Sequence, residues 1–135
     1  MKYHTKPEPA DLTIINEWET AFQVEIPEDL KNLLLDSNGP VLYTEETGKE
    51  LQILSVQDAI EYHESYKFDE FCKNAIPISL DGCGNFVVYK LVDGIVEKIY
   101  AVSSTNMGWH DAVFLKNTMS EVIEMTECIE EALFS

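Results

Sequence analysis

The stretch Ile76–Tyr89, I-P-I-S-L-D-G-C-G-N-F-V-V-Y, joins an apolar run, a glycine-punctuated turn from Asp81 to Asn85, and a second apolar run. Ile76, Ile78, Val87, Val88 and Tyr89 are β-branched or aromatic, the side chains that suit a pleated surface. Gly82 and Gly84 admit the positive φ that a bulged turn needs. The stretch predicts a β-hairpin at the centre of a sheet.

Outward from the hairpin, Asp93-Gly94 is a two-residue turn signal leading into Ile95–Val102, which extends the hairpin to a three-stranded meander. Val41–Tyr43 and Leu51–Leu54 read as short strands separated by the polar Thr44–Lys49. Before them, Ile15, Trp18 and Phe22 recur at helical spacing behind a cap at Asp11 or Thr13. Pro27 opens a second helix with Glu28 and Asp29 in its first turn and Leu30, Leu33 and Leu34 as its buried stripe. Asn38-Gly39-Pro40 stops that helix. Ser55 and Asp58 cap a third, running to about Tyr66, and Thr118-x-x-Glu121 opens a last helix to about Phe134. Lys67–Asn74 reads as irregular, Ser103–Asp111 as a loop, and Ala112–Leu115 as ambiguous. Residues 1–10, with Pro7 and Pro9, read as an extended arm and residues 11–135 as one domain. The order is α+β: a central antiparallel sheet with helices at the N- and C-terminal ends of the chain.

At 135 residues and 45% hydrophobic content, one core suffices. No stretch reaches the roughly 20 apolar residues of a membrane span, and Met1–Pro7 lacks the apolar region of a secretory signal, so a cytoplasmic location is expected. Cys72, Cys83 and Cys128 are odd in number and form no C-x-x-C pair, and read as free thiols. The net charge of −16 opposes nucleic-acid binding and favours a basic partner, unless the acidity serves only solubility.

Catalytic grammar is missing. His110-Asp111 with Ser103 or Ser104 upstream has no G-x-S-x-G elbow. His63-Glu64 lacks the second histidine of H-E-x-x-H, and His63, beside Val56, Ala59 and Ile60, reads as a core-edge histidine donating to a carbonyl. Asp81–Asn85 is too short for an EF-hand loop. No catalytic residue, metal or cofactor is expected, and a small hydrolase is the most distant reading.

Asn16–Pro40, N-E-W-E-T-A-F-Q-V-E-I-P-E-D-L-K-N-L-L-L-D-S-N-G-P, resembles the N-terminal signature of the SMI1/KNR4 (SUKH) family: a Glu-bearing helix, an Ile-Pro step, and a leucine-rich helix ending in Asn-Gly. Ile76–Tyr89 is similar to its second signature, a strand followed by D-G-x-G-N and another strand, and Ala112–Met125 to its closing segment. The resemblance implies a non-enzymatic binding protein. In bacterial members that means an immunity protein neutralising a cognate toxin, often a nuclease; in eukaryotic relatives it means a regulatory scaffold. For such a role Glu45 and Glu46 in a loop, and Glu61, Glu64, Asp69 and Glu70 around the third helix, are the candidate contacts with a basic toxin domain. Trp109 is either an interface anchor or a ring folded back over the hairpin. Glu121, Glu124, Glu127, Glu130 and Glu131 would share the last helix, with Glu130 and Glu131 opposing the dipole at its C-terminal end.

Overall fold

The computed structural model describes residues 2–125 and 127–134. In chain order the elements are strand β1 (Lys2–Thr5), helices α1 (Leu12–Phe22) and α2 (Glu28–Asp36), strands β2 (Val41–Tyr43) and β3 (Glu50–Ile53), helices α3 (Val56–Ser65) and α4 (Phe68–Phe71), strands β4 (Ala75–Leu80), β5 (Asn85–Val92), β6 (Ile95–Ser103) and β7 (Val113–Lys116), and helices α5 (Met119–Glu124) and α6 (Ile129–Phe134). The strands form one antiparallel sheet in sequence order, so the β4–β5 hairpin lies at its middle. The fold is α+β. No helix of the described residues is long and apolar enough to cross a membrane.

The apolar runs of the hairpin are continuous because both of its faces are covered. Ile76, Ile78, Val87 and Tyr89 meet the main core, where Ile15 and Trp18 of α1, Leu30 and Leu34 of α2, Val56 and Ala59 of α3, Met119 and Val122 of α5, and Ile129 of α6 also lie. Phe86 and Val88 point the other way, into a smaller core with Phe68, Cys72 and Val102. Pro77 is tolerated in this central strand because the ladder is interrupted by a bulge between Pro77 and Ser79. Asp93 and Gly94 both take positive φ, 52° and 74°, as a tight two-residue hairpin turn requires.

Sequence and structure differ at both ends of the chain. The N-terminal arm is extended, and Lys2–Thr5 is also an edge strand of the sheet, paired with β2. The segment between β1 and α1 is tied to α2 by Ser37 Oγ donating to the Pro7 carbonyl at 2.8 Å and Ala10 N donating to the Leu34 carbonyl at 2.9 Å. Tyr3 donates to Asp36, and Lys6 lies 3.4 Å from the same carboxylate. The ambiguous Ala112–Leu115 is largely strand β7, and Lys67–Asn74 contains α4.

The single last helix is in fact two, α5 and α6. Helix α5 is held at its start by Thr118, whose Oγ1 accepts from Glu121 N at 3.2 Å, and by Asp29, whose carboxylate accepts from Ser120 N at 2.9 Å. It stops because the Lys49 ammonium sits at its C-terminal end, donating to the carbonyls of Val122 at 2.6 Å and Met125 at 2.8 Å. Met125 then turns to extended backbone, and a new helix begins after Cys128. Glu130 and Glu131 therefore occupy the first turn of α6, where their charge suits the helix dipole; the expected opposition at a C-terminus does not arise.

Lys49 is 1% exposed, and burial lowers its pKa from 10.5 to about 8, against the pull of Cys128 and Glu127. An amine whose folded pKa lies below its unfolded value loses its proton first in the folded chain. Between about pH 8 and 10.5 the unfolded state holds more protons, and stability rises with pH. Lys49→Met should cost about 1–3 kcal/mol at neutral pH, since it strands two buried carbonyls. Urea denaturation at several pH values should show the wild type gaining on the variant between pH 8 and 10.5.

Candidate functional site

The turn of the central hairpin is built by Asp81. One carboxylate oxygen accepts from Cys83 N at 2.7 Å and Asn85 N at 3.1 Å, and the other accepts from Asn85 Nδ2 at 2.6 Å. Gly82 and Gly84 hold φ of 81° and 86°, so three hydrogen bonds to one side chain lock a turn that other residues could not follow. Across from it stand the β2–β3 loop and the start of α6.

Together these elements enclose a hollow of about 600 Å³ lined by Gly48, Glu50, Asp81, Cys83, Cys128, Ile129, Glu130 and Glu131. Four carboxylates line it, and no cation does among the described residues. The nearest lysine in sequence, Lys49, is turned inward onto α5. Glu130 first, and then the Asp81 charge, push the Cys83 pKa up. Cys128 is half-buried beside it, whereas Cys72 lies in the smaller core with its pKa pushed up to about 11 by burial. All three cysteines are free thiols.

A second acidic depression, about 490 Å³, lies between α1, α3 and α4 and is lined by Ala21, Phe22, Ile60, His63, Glu64, Lys67, Asp69 and Glu70. His63 does not donate to a carbonyl as its position in the sequence suggested. Its ring stacks on Phe68 at 5.8 Å and meets Phe22 edge-on at 5.4 Å, with Nε2 3.6 Å from Asp69 Oδ1. Lys67 takes a left-handed φ of 55° to turn the chain from α3 into α4, which is what brings Asp69 and Glu70 round to Glu64.

Of the residues expected to meet a partner, the structure thus gathers Glu64, Asp69 and Glu70 in one place. Glu61 is exposed on α3 outside that lining. Glu45 and Glu46 lie on the β2–β3 loop, where Glu45 pairs with Lys2 at 3.2 Å and where the same loop contributes Gly48 to the hairpin hollow. Trp109 belongs to neither depression. Its Nε1 donates to the Lys73 carbonyl at 2.6 Å and its ring packs edge-on against Tyr100 at 5.4 Å, so it lies folded against the sheet. Ser103 Oγ, the would-be nucleophile, is 3.0 Å from Thr105 Oγ1 within its own turn.

Residues 9–125 match the family model described as SMI1 / KNR4 family (SUKH-1). No curated protein matches the chain. The matched span takes in the Asp81 turn and the β2–β3 loop; α6 with Glu130 and Glu131 lies beyond it.

Glu130→Gln removes the negative charge that helps to raise the Cys83 pKa. Alkylation of Cys83 by iodoacetamide at mildly alkaline pH, followed on its own peptide by mass spectrometry, should be faster in the variant. Buried Cys72 should stay slow in both proteins.

Proposed function

We propose, from the premise that the chain belongs to the SMI1/KNR4 family (SUKH-1), that it is a non-enzymatic binding protein acting as an immunity protein, which occludes a basic toxin domain, most plausibly a nuclease. The observation that carries this reading is the hollow at the hairpin turn, with four carboxylates, no lining cation and a rigid floor. A partner lysine or arginine entering it would meet carboxylates with no cation among the described lining residues. The Glu64, Asp69 and Glu70 depression and the Glu45–Glu46 loop add to the same field.

With a net charge of −16, long-range attraction would raise the association rate with a basic partner by roughly tens to hundreds of fold at low salt. Short-range contacts would then set the lifetime of the complex. A nuclease held this way loses access to its own polyanionic substrate, because the inhibitor occupies the basic surface that the phosphates would use. No chemistry is asked of the inhibitor, and its location would be the cytoplasm, where such a toxin acts.

Titration against the toxin domain encoded beside this gene tests the reading. One-to-one binding is expected, with an on-rate that falls as salt rises. Glu130→Lys with Glu131→Lys should slow association about tenfold, while His63→Ala and His110→Ala should leave it within about twofold. Absence of binding to that product would sink the immunity role and favour a regulatory scaffold on the same fold.

A further inference from the structure

The chain has nine lysines and no arginine. Lys49 is sealed in the interior, and Lys2 and Lys6 are paired with Glu45 and Asp36. Lys90 on β5 and Lys98 on β6 are directly opposed cross-strand partners. Like charges placed opposite one another destabilise a sheet. Yet in a chain with 25 carboxylates, neither lysine forms an ion pair among the described residues.

Both ammonium groups lie instead over aromatic rings. Lys90 Nζ is 5.0 Å from the Trp109 centroid and 5.5 Å from that of Tyr100, and Lys98 Nζ is 5.5 Å from that of Phe114. Tyr100 and Phe114 are themselves cross-strand partners, with ring centroids 5.9 Å apart, and Phe114 is 48% exposed. This is the face opposite the main core, beyond the part of it that α4 covers. It combines two unneutralised cations with an exposed apolar ring on rigid strands.

We propose that this lysine–aromatic face docks an acidic segment of a partner protein, with a carboxylate bridging Lys90 and Lys98 and an apolar side chain covering Phe114. Charge complementarity selects that occupant: a carboxylate would relieve the cross-strand repulsion of two lysines that have no ion pair among the described residues. A nucleic acid would also supply negative charge and stacking bases, but a strand with a charge at every nucleotide would be repelled by the rest of a −16 surface. A protein can be acidic in one segment and basic elsewhere. The inference rests on the binding-protein reading and adds to it that recognition uses both signs of charge, which fixes the partner's orientation and rejects partners without the carboxylate.

The test uses the full chain and a short synthetic peptide containing Glu-Leu-Glu, followed by amide NMR and by Trp109 fluorescence. The other tryptophan, Trp18, is 1% exposed and supplies a constant background. Shifts should cluster at Lys90, Lys98, Tyr100 and Phe114. Binding should weaken about tenfold in Lys90→Gln/Lys98→Gln, whose thermal midpoint should stay close to that of the wild type because the relieved repulsion offsets the lost ammonium–ring contacts. Unchanged affinity in the double variant, no shifts at millimolar peptide, or the same shifts produced by single-stranded oligothymidylate at lower concentration would each overturn the proposal. A lysine-rich peptide titrated in parallel reads the acidic hollow, so failure on one face is separable from failure on the other.

Discussion

The ammonium of Lys49, donating into the carbonyls at the end of α5, is the contact on which the C-terminal part of the molecule depends. A six-residue helix cannot sustain itself in water, because nucleation costs more than one or two turns return. Here the helix is gripped along its dipole, by the Asp29 carboxylate at one end and a buried cation at the other. The two grips come from α2 and from the β2–β3 loop, so packing α5 also fixes those two segments against each other. With α5 in place, the chain is released at Met125 in the direction that carries α6 over the hairpin turn.

That arrangement has an electrostatic outcome. A lysine adjacent in sequence to the acidic hollow is diverted to backbone carbonyls, leaving Glu50, Asp81, Glu130 and Glu131 without a counter-charge in their lining. On the far face of the sheet, two lysines stand without carboxylates. The molecule is therefore not uniformly acidic: Lys67 stands among the carboxylates of the second depression, whereas the hairpin hollow and the Lys90–Lys98 pair each carry one sign of charge among the described residues. Like charges grouped in this way cost some stability at each site.

The elements with local signals were legible in the sequence. The hairpin, the Pro27 start of α2, the Ser55 cap and the Asp93-Gly94 turn each announce themselves within four or five residues, and each is present, whereas α2 ends at Asp36 with extended Ser37 as its cap, short of the expected Asn38-Gly39 stop. The break between α5 and α6 was not legible, because it is made by a lysine more than seventy positions away and nothing near Met125 resembles a helix terminator. Strand β1 was hidden for a similar reason: Lys2–Thr5 is polar and becomes a strand only because β2 offers it an open edge. Of the candidate contacts, Glu64, Asp69 and Glu70 are close in sequence and line one depression, while Glu45, Glu46 and Glu61 lie outside its lining. The hairpin hollow was missed because its lining comes from three distant segments, and its one signal, the Asp81 turn, was read as turn chemistry alone.

The sheet runs in sequence order, yet its seven strands are not equally joined. Strands β3 and β4 share the pairs Gln52 with Leu80 and Ile53 with Ser79, continued by Leu54 N donating to the Ile78 carbonyl at 2.8 Å, and the chain between them is spent on α3 and α4. The β4–β5–β6 pairings, by contrast, run through long registers closed by short turns. Short loops close quickly, so the C-terminal meander can form before the N-terminal strands join it. The shorter β3–β4 junction would then join after the meander, where two differently built parts of one sheet meet over a shared core.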